Sequence, residues 1–323
     1  MTPSSETTPN ALSSKAVTYQ RAGGPDVIEV VTRTVRPPQA GEVRIRVTAA
    51  AVNPTDVLLR DTGYDGTATF PATPGMDAAG VIEAVGPGVA RLHVGEEVMA
   101  VVLPLRPEGG AQAAHIVVPA ASVGPIPQGA SLAQAATLPM NGLTALLALE
   151  LAGLQPGQIL AVSGGAGLLA HYAIAAAKSQ GLTVIADAKP EESELVRSYG
   201  ADKVVARGDG FAAAIRREFP EGVDALLDTA LLAEKSFAAI RDGGIYLPVR
   251  GWGDAPSERG IRIKPVWVSD ALERTDWLDQ LRQLVEGGAI TLRVTGEYAP
   301  EQLAEAQRSL LAGGLRGRPI IVF

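Results

Sequence analysis

Val43, Ile45 and Val47 alternate with Arg44, Arg46 and Thr48, the period-two pattern of a strand with one buried face. Short apolar runs at 81–85, 98–102 and 115–118 extend this β character, and the segments PPQAGE, PGMDAAG, GPGV and RPEGG break the chain between them. The pattern predicts a β-rich region from about Lys15 to Pro119, a small barrel or coiled sheet. From about Ser131 the period changes. Helical stretches alternate with apolar strands at 159–162, 183–186, 203–205, 225–227 and 245–249. Strands alternating with helices imply a parallel sheet with right-handed crossovers. The segment 252–264 is polar and Gly-rich and reads as a loop or lid. A helix is expected over 277–285, a strand over 290–294, a helix near 300–311 and a last strand over 319–323. These last strands are expected to return to the β-rich half.

The stretch ILAVSGGAGLLAHYAIAAAK, residues 159–178, carries the most specific signal. A buried strand runs into Gly164, Gly165 and Gly167, then into an apolar segment of helical period. Gly165, Gly167 and Ala170 fit G-x-G-x-x-[G/A]. The first glycine would make the tight turn and the second would let backbone approach a pyrophosphate. The small third residue would let helix and strand pack closely. Free N–H groups over Gly164, Gly165, Ala166, Gly167, Leu168 and Leu169 would face the anion. A second strand over 182–187 follows at the distance a dinucleotide-binding unit requires. The fold class is α/β, a Rossmann-type doubly wound parallel sheet beside a β-rich domain.

At 323 residues, two domains are the natural expectation. Domain boundaries are placed at 1–13 for a disordered tail, 14–130 with 288–323 for the β-rich domain, and 131–287 for the nucleotide-binding domain. An apolar share of 46% suits a globular chain with a sizeable core. No uninterrupted apolar run reaches the roughly 18 residues of a membrane span, and MTPSSETTPN lacks the features of a signal peptide. A cytoplasmic protein without a membrane partner is therefore expected. The net charge of −7 without a basic block argues against nucleic acid as a partner. The chain has no cysteine, which excludes disulfides, thiolate metal sites and a cysteine nucleophile. Its three histidines, His93, His115 and His171, show no ligand spacing, so no catalytic zinc is expected. His171 reads by default as a solvent-facing helix residue.

Several stretches are similar to the zinc-free quinone oxidoreductase branch of the medium-chain dehydrogenase/reductase superfamily. VNPTD at 52–56 resembles its Asn-containing turn, and Arg60 to Tyr64 its R-S-G-x-Y segment. PGMDAAGVIEAVGPGV at 74–89 resembles its P-G-x-E-x-A-G signature, with Asp77 in the acidic place. LPMNGLTA at 138–145 and the glycine stretch resemble the entry to its nucleotide domain. The resemblance implies a GroES-like fold for the β-rich catalytic domain. Three departures are visible. Zinc-using relatives carry G-H-E where this chain has Gly75-Met76-Asp77, and the Cys-rich loop of a structural zinc is missing. Leu58 stands where relatives often have a second active-site tyrosine.

The implied activity is zinc-independent hydride transfer from a nicotinamide to a quinone or an α,β-unsaturated carbonyl compound. Such a reaction needs donors where negative charge develops. Tyr64 and Asn53 are the catalytic candidates. The tyrosine would hydrogen-bond the carbonyl oxygen and pass on a proton, while the asparagine would orient the nicotinamide ribose or the substrate. Their structural alternatives are a loop-tip aromatic and a turn asparagine holding backbone. Asp56 and Asp77 read as turn-capping carboxylates. Thr144, at the start of a predicted helix, either reaches the nicotinamide or caps the helix. Asn141 has no assigned role.

The backbone from Val249 to Gly251 would lie along the nicotinamide amide, and Trp252 and Trp267 either wall the substrate pocket or pack a lid. Asp187, about 20 residues past the glycines, suits the ribose hydroxyls of NADH. Lys189 and Arg207 suit the 2′-phosphate of NADPH. Family habit favours NADPH, and NADH stays open. The alternatives are a non-catalytic NADPH-binding sensor, or a carbonyl reductase or alcohol dehydrogenase. Relatives commonly dimerise through an edge strand of the nucleotide domain, here 245–249, with Pro248 inside it; a homodimer is the expectation.

Overall fold

The computed structural model describes residues 12–250, 252–253 and 256–323. The chain opens with β1 (Leu12–Tyr19), β2 (Ile28–Val35) and β3 (Glu42–Ala51), then α1 (Pro54–Gly66). Four further strands follow: β4 (Asp77–Val85), β5 (Glu97–Val101), β6 (His115–Pro119) and β7 (Val123–Pro125). Two helices, α2 (Leu132–Ala135) and α3 (Pro139–Ala152), precede the alternating half. There β8 (Ile159–Ser163), α4 (Leu168–Ser179), β9 (Thr183–Ala188), α5 (Ser193–Ser198), β10 (Lys203–Ala206), α6 (Phe211–Glu218) and β11 (Val223–Asp228) alternate strictly. The chain continues through β12 (Ile240–Pro248), β13 (Arg262–Ile263) and α7 (Thr275–Glu286). It closes with β14 (Val294–Tyr298), α8 (Leu303–Leu311) and β15 (Arg318–Val322).

The chain divides into two compact units. One runs to Pro139 and includes Leu272–Thr275 and Leu292–Phe323; the other holds Met140–Ala271 and Asp276–Thr291. The segment around α2 belongs to the first unit because α2 packs against β3, β4 and β5. The expected tail, 1–13, lies almost wholly outside the described residues.

In the first unit a seven-stranded sheet has the order β14-β15-β3-β4-β5-β7, with β6 also on β3, and β1 and β2 form a separate antiparallel pair. The alternation read over 43–48 has its structural counterpart in β3. Val43 and Ile45 are fully buried and join Ile82, Val98 and Ile116 in one core. A second core joins Val17, Tyr19, Leu59, Leu303 and Ile321, and Tyr64 packs on it. The C-terminal return to the β-rich unit is present, since β15 pairs antiparallel with β3 and parallel with β14. Its first strand lies further along than 290–294. Ile290 and Leu292 are buried, but the N–H groups of Ala289 and Ile290 bond to Leu284 O at the end of α7, so that backbone is not free to join a sheet.

The second unit is a six-stranded parallel sheet of order β10-β9-β8-β11-β12-β13. In sequence order this is 3-2-1-4-5-6, the doubly wound arrangement, with its switch point between β8 and β11. Leu160, Ala161 and Val162 are fully buried, as a central parallel strand requires. Two expectations change here. The segment 252–264 is not all loop, because Arg262 and Ile263 pair with Ile245 and Tyr246. The edge strand is consequently β13, and β12, proposed as the edge, is flanked on both sides. Pro248 is the last residue of β12, in register with Asp228 of β11, and its carbonyl accepts from Val266 N at 2.9 Å.

One stretch, Leu132–Ala152, is long and apolar enough to cross a membrane by length and composition, which a count of uninterrupted apolar residues does not register. Its most apolar window is 83% buried within the fold, as the core helix of a globular protein is.

Gly80, in the middle of β4, shows how closely the first sheet is packed. A Cβ there would lie 2.1 Å from Arg46 O, next to the β-bulge of β3. Gly80→Ala is expected to destabilise the protein by about 1–3 kcal/mol, measured as a lower midpoint in urea with an unchanged slope.

Candidate functional site

The glycine turn follows β8. Gly164 has φ +69°, a left-handed conformation, and its carbonyl accepts from Gly167 N at 2.8 Å. The tight turn therefore falls on Gly164 and not on Gly165. Gly165 is glycine for another reason, since a Cβ there would lie 2.5 Å from Asp187 O and 2.9 Å from the Ala186 Cβ. Gly167 caps α4 and no side chain caps the helix in turn. Ala166, Leu168 and Ala170 are buried and Leu169 is half-buried. An uncapped helix start of this kind presents N–H groups and the positive end of the helix dipole to an anion.

The strands of the second sheet bring the other residues to the same C-terminal end. Asp187 sits near the end of β9, is 1% exposed, and its Oδ1 accepts from Gly165 N at 3.0 Å. Burial pushes its carboxyl up, while Gly165 N–H and the charge of Arg207 pull it down. Lys189 directly follows β9, and Arg207 directly follows β10, its N bonding to Ala188 O at 3.0 Å. Both side chains are exposed, and neither forms an ion pair or hydrogen bond among the described residues.

Thr144 is not at a helix start. It lies inside α3, and its hydroxyl donates to Met140 O at 2.7 Å, so its single proton is engaged one turn back. Asn141 is buried in the same helix. Val249 is half-buried just past β12, and Gly251 lies outside the described residues. His171 is buried and stacks on Tyr199 with ring centroids 4.0 Å apart, so it does not face solvent. Trp252 packs on Phe237 and Tyr246 in the core of this unit, whereas Trp267 is exposed.

In the first unit, Asn53 caps α1 and is fully buried. Its Nδ2 donates to Asp77 Oδ2 at 2.6 Å and its Oδ1 accepts from Arg318 Nε at 2.8 Å. Asp56, also fully buried, accepts from Asn53 N at 2.7 Å, Gly75 N at 3.0 Å and Gln112 Nε2 at 3.2 Å. The capping reading of Asp56 matches this geometry. Burial pushes the Asp56 carboxyl up to about 7, against the pull of its backbone donors and with help from Asp77. Sequence reasoning missed Arg318 and Gln112. No local pattern marks them, since Arg318 is 265 positions from Asn53.

Tyr64 ends α1 in a left-handed turn, with φ 51° at Tyr64 and 55° at Asp65 between Gly63 and Gly66. Left-handed backbone is unfavourable for residues with a Cβ and concentrates at functional positions. The Tyr64 hydroxyl is buried with no hydrogen-bond partner among the described residues, and burial, then the Asp56 charge, raises its pKa.

The doubly wound sheet with its glycine turn, and the β-rich unit with its buried acidic turn, define an oxidoreductase-type nucleotide-binding architecture. Residues 39–128 match the Alcohol dehydrogenase GroES-like domain, and residues 199–321 match Zinc-binding dehydrogenase. The chain is 29% identical over 317 residues to an NADPH-dependent alkenal/one oxidoreductase, chloroplastic, of Arabidopsis thaliana, covering 95% of this chain and 79% of that one. It is 27% identical over 317 residues to a 2-methylene-furan-3-one reductase of Solanum lycopersicum, covering 95% and 78%. A solved alcohol dehydrogenase superfamily protein from Novosphingobium aromaticivorans superposes with a TM-score of 0.85 at 26% identity, over 96% of this chain and 99% of that one. The chain belongs to the medium-chain dehydrogenase/reductase superfamily.

Between the ordinary carboxylate value of 3.8 and about 7, folded Asp56 keeps a proton that the unfolded chain has lost. Its contribution to stability is therefore full below about pH 4 and is lost as pH rises to about 7. Asp56→Asn cannot titrate. The stability difference between wild type and this variant is expected to shift in the variant's favour from pH 4 to 7, as followed by urea unfolding at each pH.

Proposed function

We propose that the protein is a zinc-independent, NADPH-dependent oxidoreductase that reduces α,β-unsaturated carbonyl compounds or quinones. The observation that carries this reading is the uncapped glycine turn at the switch point, with two exposed cations, in no ion pair among the described residues, after the neighbouring strands. The relatives' names, an alkenal/one oxidoreductase and a methylene-furanone reductase, support the substrate class.

The start of α4, which has no side-chain cap, would hold a pyrophosphate through backbone N–H groups around Ala166, Leu168 and Leu169, since Gly165 N and Gly167 N are engaged by Asp187 and Gly164 O. Lys189 and Arg207 hold the 2′-phosphate as charged donors. Asp187 does not oppose it as an exposed carboxylate would, since it is buried and braces Gly165 N. This favours NADPH over NADH. When bound, NADPH supplies the hydride that adds to the β-carbon of an enone. The electron pair of the double bond moves toward the carbonyl oxygen, and the α-carbon takes a proton. The Tyr64 phenol is protonated at neutral pH, burial only raising its pKa further, and this hydroxyl donates that proton. Asn53 acts as a positioning residue, because its amide is committed to Asp77 and Arg318.

The metal-free part of the reading rests on donor chemistry. The chain has no cysteine, Met76 stands where the zinc-using pattern has histidine, and Asp77 is engaged by Asn53. Among the described residues no group of three or more histidines and carboxylates could hold a metal. Reduction by a zinc-alkoxide route does not fit these residues.

The primary test is NADPH oxidation with a simple enone and with 1,4-benzoquinone, after chelator treatment and against quinone controls without enzyme. Turnover above those controls is expected; binding without turnover of either class would point to an NADPH sensor. Arg207→Ala and Lys189→Ala are each expected to raise the KM for NADPH about tenfold or more and leave that for NADH within about twofold. Equal losses for both cofactors would remove the 2′-phosphate assignment. Tyr64→Phe breaks no hydrogen bond among the described residues, so the melting temperature should hold while kcat falls about 100-fold. An unchanged kcat would assign the proton to water.

A further inference from the structure

Three successive residues at the end of α1 are left-handed: Gly63 (φ 62°, ψ 39°), Tyr64 (φ 51°, ψ 54°) and Asp65 (φ 55°, ψ 39°). Together they make a turn of left-handed helix, a form that L-residues adopt singly and seldom in succession. Among the described residues, Tyr64 and Asp65 are the only adjacent pair of non-glycine residues with positive φ. Gly63 suits its place, since a Cβ there would lie 3.0 Å from Phe70 Cε2. Tyr64 and Asp65 each carry a Cβ, and for them the conformation is unfavourable.

Two threonines grip this turn, one from each side. The Thr62 hydroxyl accepts from Asp65 N at 3.0 Å and donates to Leu58 O at 3.1 Å. It supplies Asp65 N with an acceptor where the right-handed spiral of α1 has ended. The Thr67 hydroxyl donates to Tyr64 O at 2.8 Å, and Thr67 N donates to the same carbonyl at 3.3 Å. Both threonines are exposed, yet their hydroxyls are spent on this backbone. The residue so held has a second unfavourable feature. Its ring packs on the core of Val17, Leu59 and Leu303, while its hydroxyl is buried with no partner among the described residues. A phenylalanine would fill the same space and leave no hydroxyl unpaired. Strain and an unspent hydroxyl at one residue, both fixed by their surroundings, mark a position built for a task other than packing.

We infer that Thr62 and Thr67 are positioning residues for proton transfer, their hydroxyls holding the left-handed turn so that the Tyr64 hydroxyl is fixed where it meets the substrate. The inference rests on the proposed role of Tyr64 as proton donor. A donor works within hydrogen-bond reach of the atom it protonates, and a misplacement of about 1 Å costs up to about 100-fold in rate. The Tyr64 ring is held by packing, so the backbone that carries it sets where its oxygen lies. Neither threonine touches the substrate; each acts through the peptide groups of Tyr64 and Asp65.

The test is a double-mutant cycle on the intact protein, with NADPH and 2-cyclohexen-1-one as substrates. Thr62→Val/Thr67→Val is expected to lower kcat about tenfold and to leave the KM for the enone and for NADPH within about twofold. Thr62→Ser/Thr67→Ser keeps both hydroxyls and should retain kcat within about twofold. In a Tyr64→Phe background the two valine replacements should change kcat by less than about twofold, because the group they position is gone. Thr67→Val alone, read in the same two backgrounds, covers the case in which the double variant does not fold. An equal fall in kcat in both backgrounds would make the threonines merely structural and overturn the inference. So would valine variants with the kcat of wild type beside a lowered kcat in Tyr64→Phe; either result leaves Tyr64 standing as the donor. Tyr64→Phe with the kcat of wild type removes the donor role and the inference with it. Wild type that turns over neither this enone nor 1,4-benzoquinone removes the proposed function itself.

Discussion

A carboxylate buried against inward-facing backbone N–H groups is the interaction on which the working loops of both units depend. Asp56 accepts from Asn53 N and Gly75 N, Asp187 from Gly165 N, and Asp228 from Ala230 N and Ala233 N. In each case the N–H belongs to a turn whose donors have no helix or sheet partner to take. Left unpaired in the interior, each such donor would cost about 1–3 kcal/mol. A carboxyl group, with two acceptor oxygens, meets that need. Burial works against the charge, which is why Asp56 and Asp187 are both pushed upward. At Asp56 and Asp187 the turn is therefore held by a carboxylate that protonates more readily than a free one.

That arrangement separates side chains that build the site from side chains that are free to meet a ligand. Asn53, Thr144 and Asp187 all have the chemistry to touch a nucleotide or substrate. Each has polar atoms committed to internal partners: Asp77 and Arg318, Met140 O, and Gly165 N. Lys189 and Arg207 are the opposite case, exposed just after β9 and β10 with no side-chain hydrogen bond or ion pair among the described residues. Although the whole chain carries a net charge of −7, the residues directly after β9 and β10 are the cations Lys189 and Arg207. Local charge, and not net charge, decides what such a site accepts.

Backbone strain follows the same division. Left-handed residues with side chains occur at Tyr64 and Asp65 in one unit and at Leu231 and Ala233 in the other. The first pair ends α1, which delivers Tyr64, and the second follows β11. Conformations of this kind persist where neighbouring structure over-determines them. Glycines flank the first pair, and Asp228 accepts from Ala230 N and Ala233 N beside the second. Arg259, a further left-handed residue, is tied to Phe237 O and Ile240 O in the body of its unit, where it closes a turn.

The amino-acid sequence by itself determined the elements and their order. Period-two alternation over 43–48 marks β3, and an apolar run followed by three glycines marks β8, its turn and α4, because strand period and glycine placement are local properties. It also determined the absence of thiolate ligands, since that needs only a count. Tertiary structure decided what depends on distant partners. The Asn53–Arg318 and Ser163–Asp228 hydrogen bonds join positions 265 and 65 residues apart, and no local pattern encodes either. The same holds for His171, buried against Tyr199, and for β13, which displaced β12 from the sheet edge through two paired residues. Even the glycine turn was reassigned by one residue, because the left-handed backbone falls on Gly164, while Gly165 lacks a side chain for want of space beside Asp187.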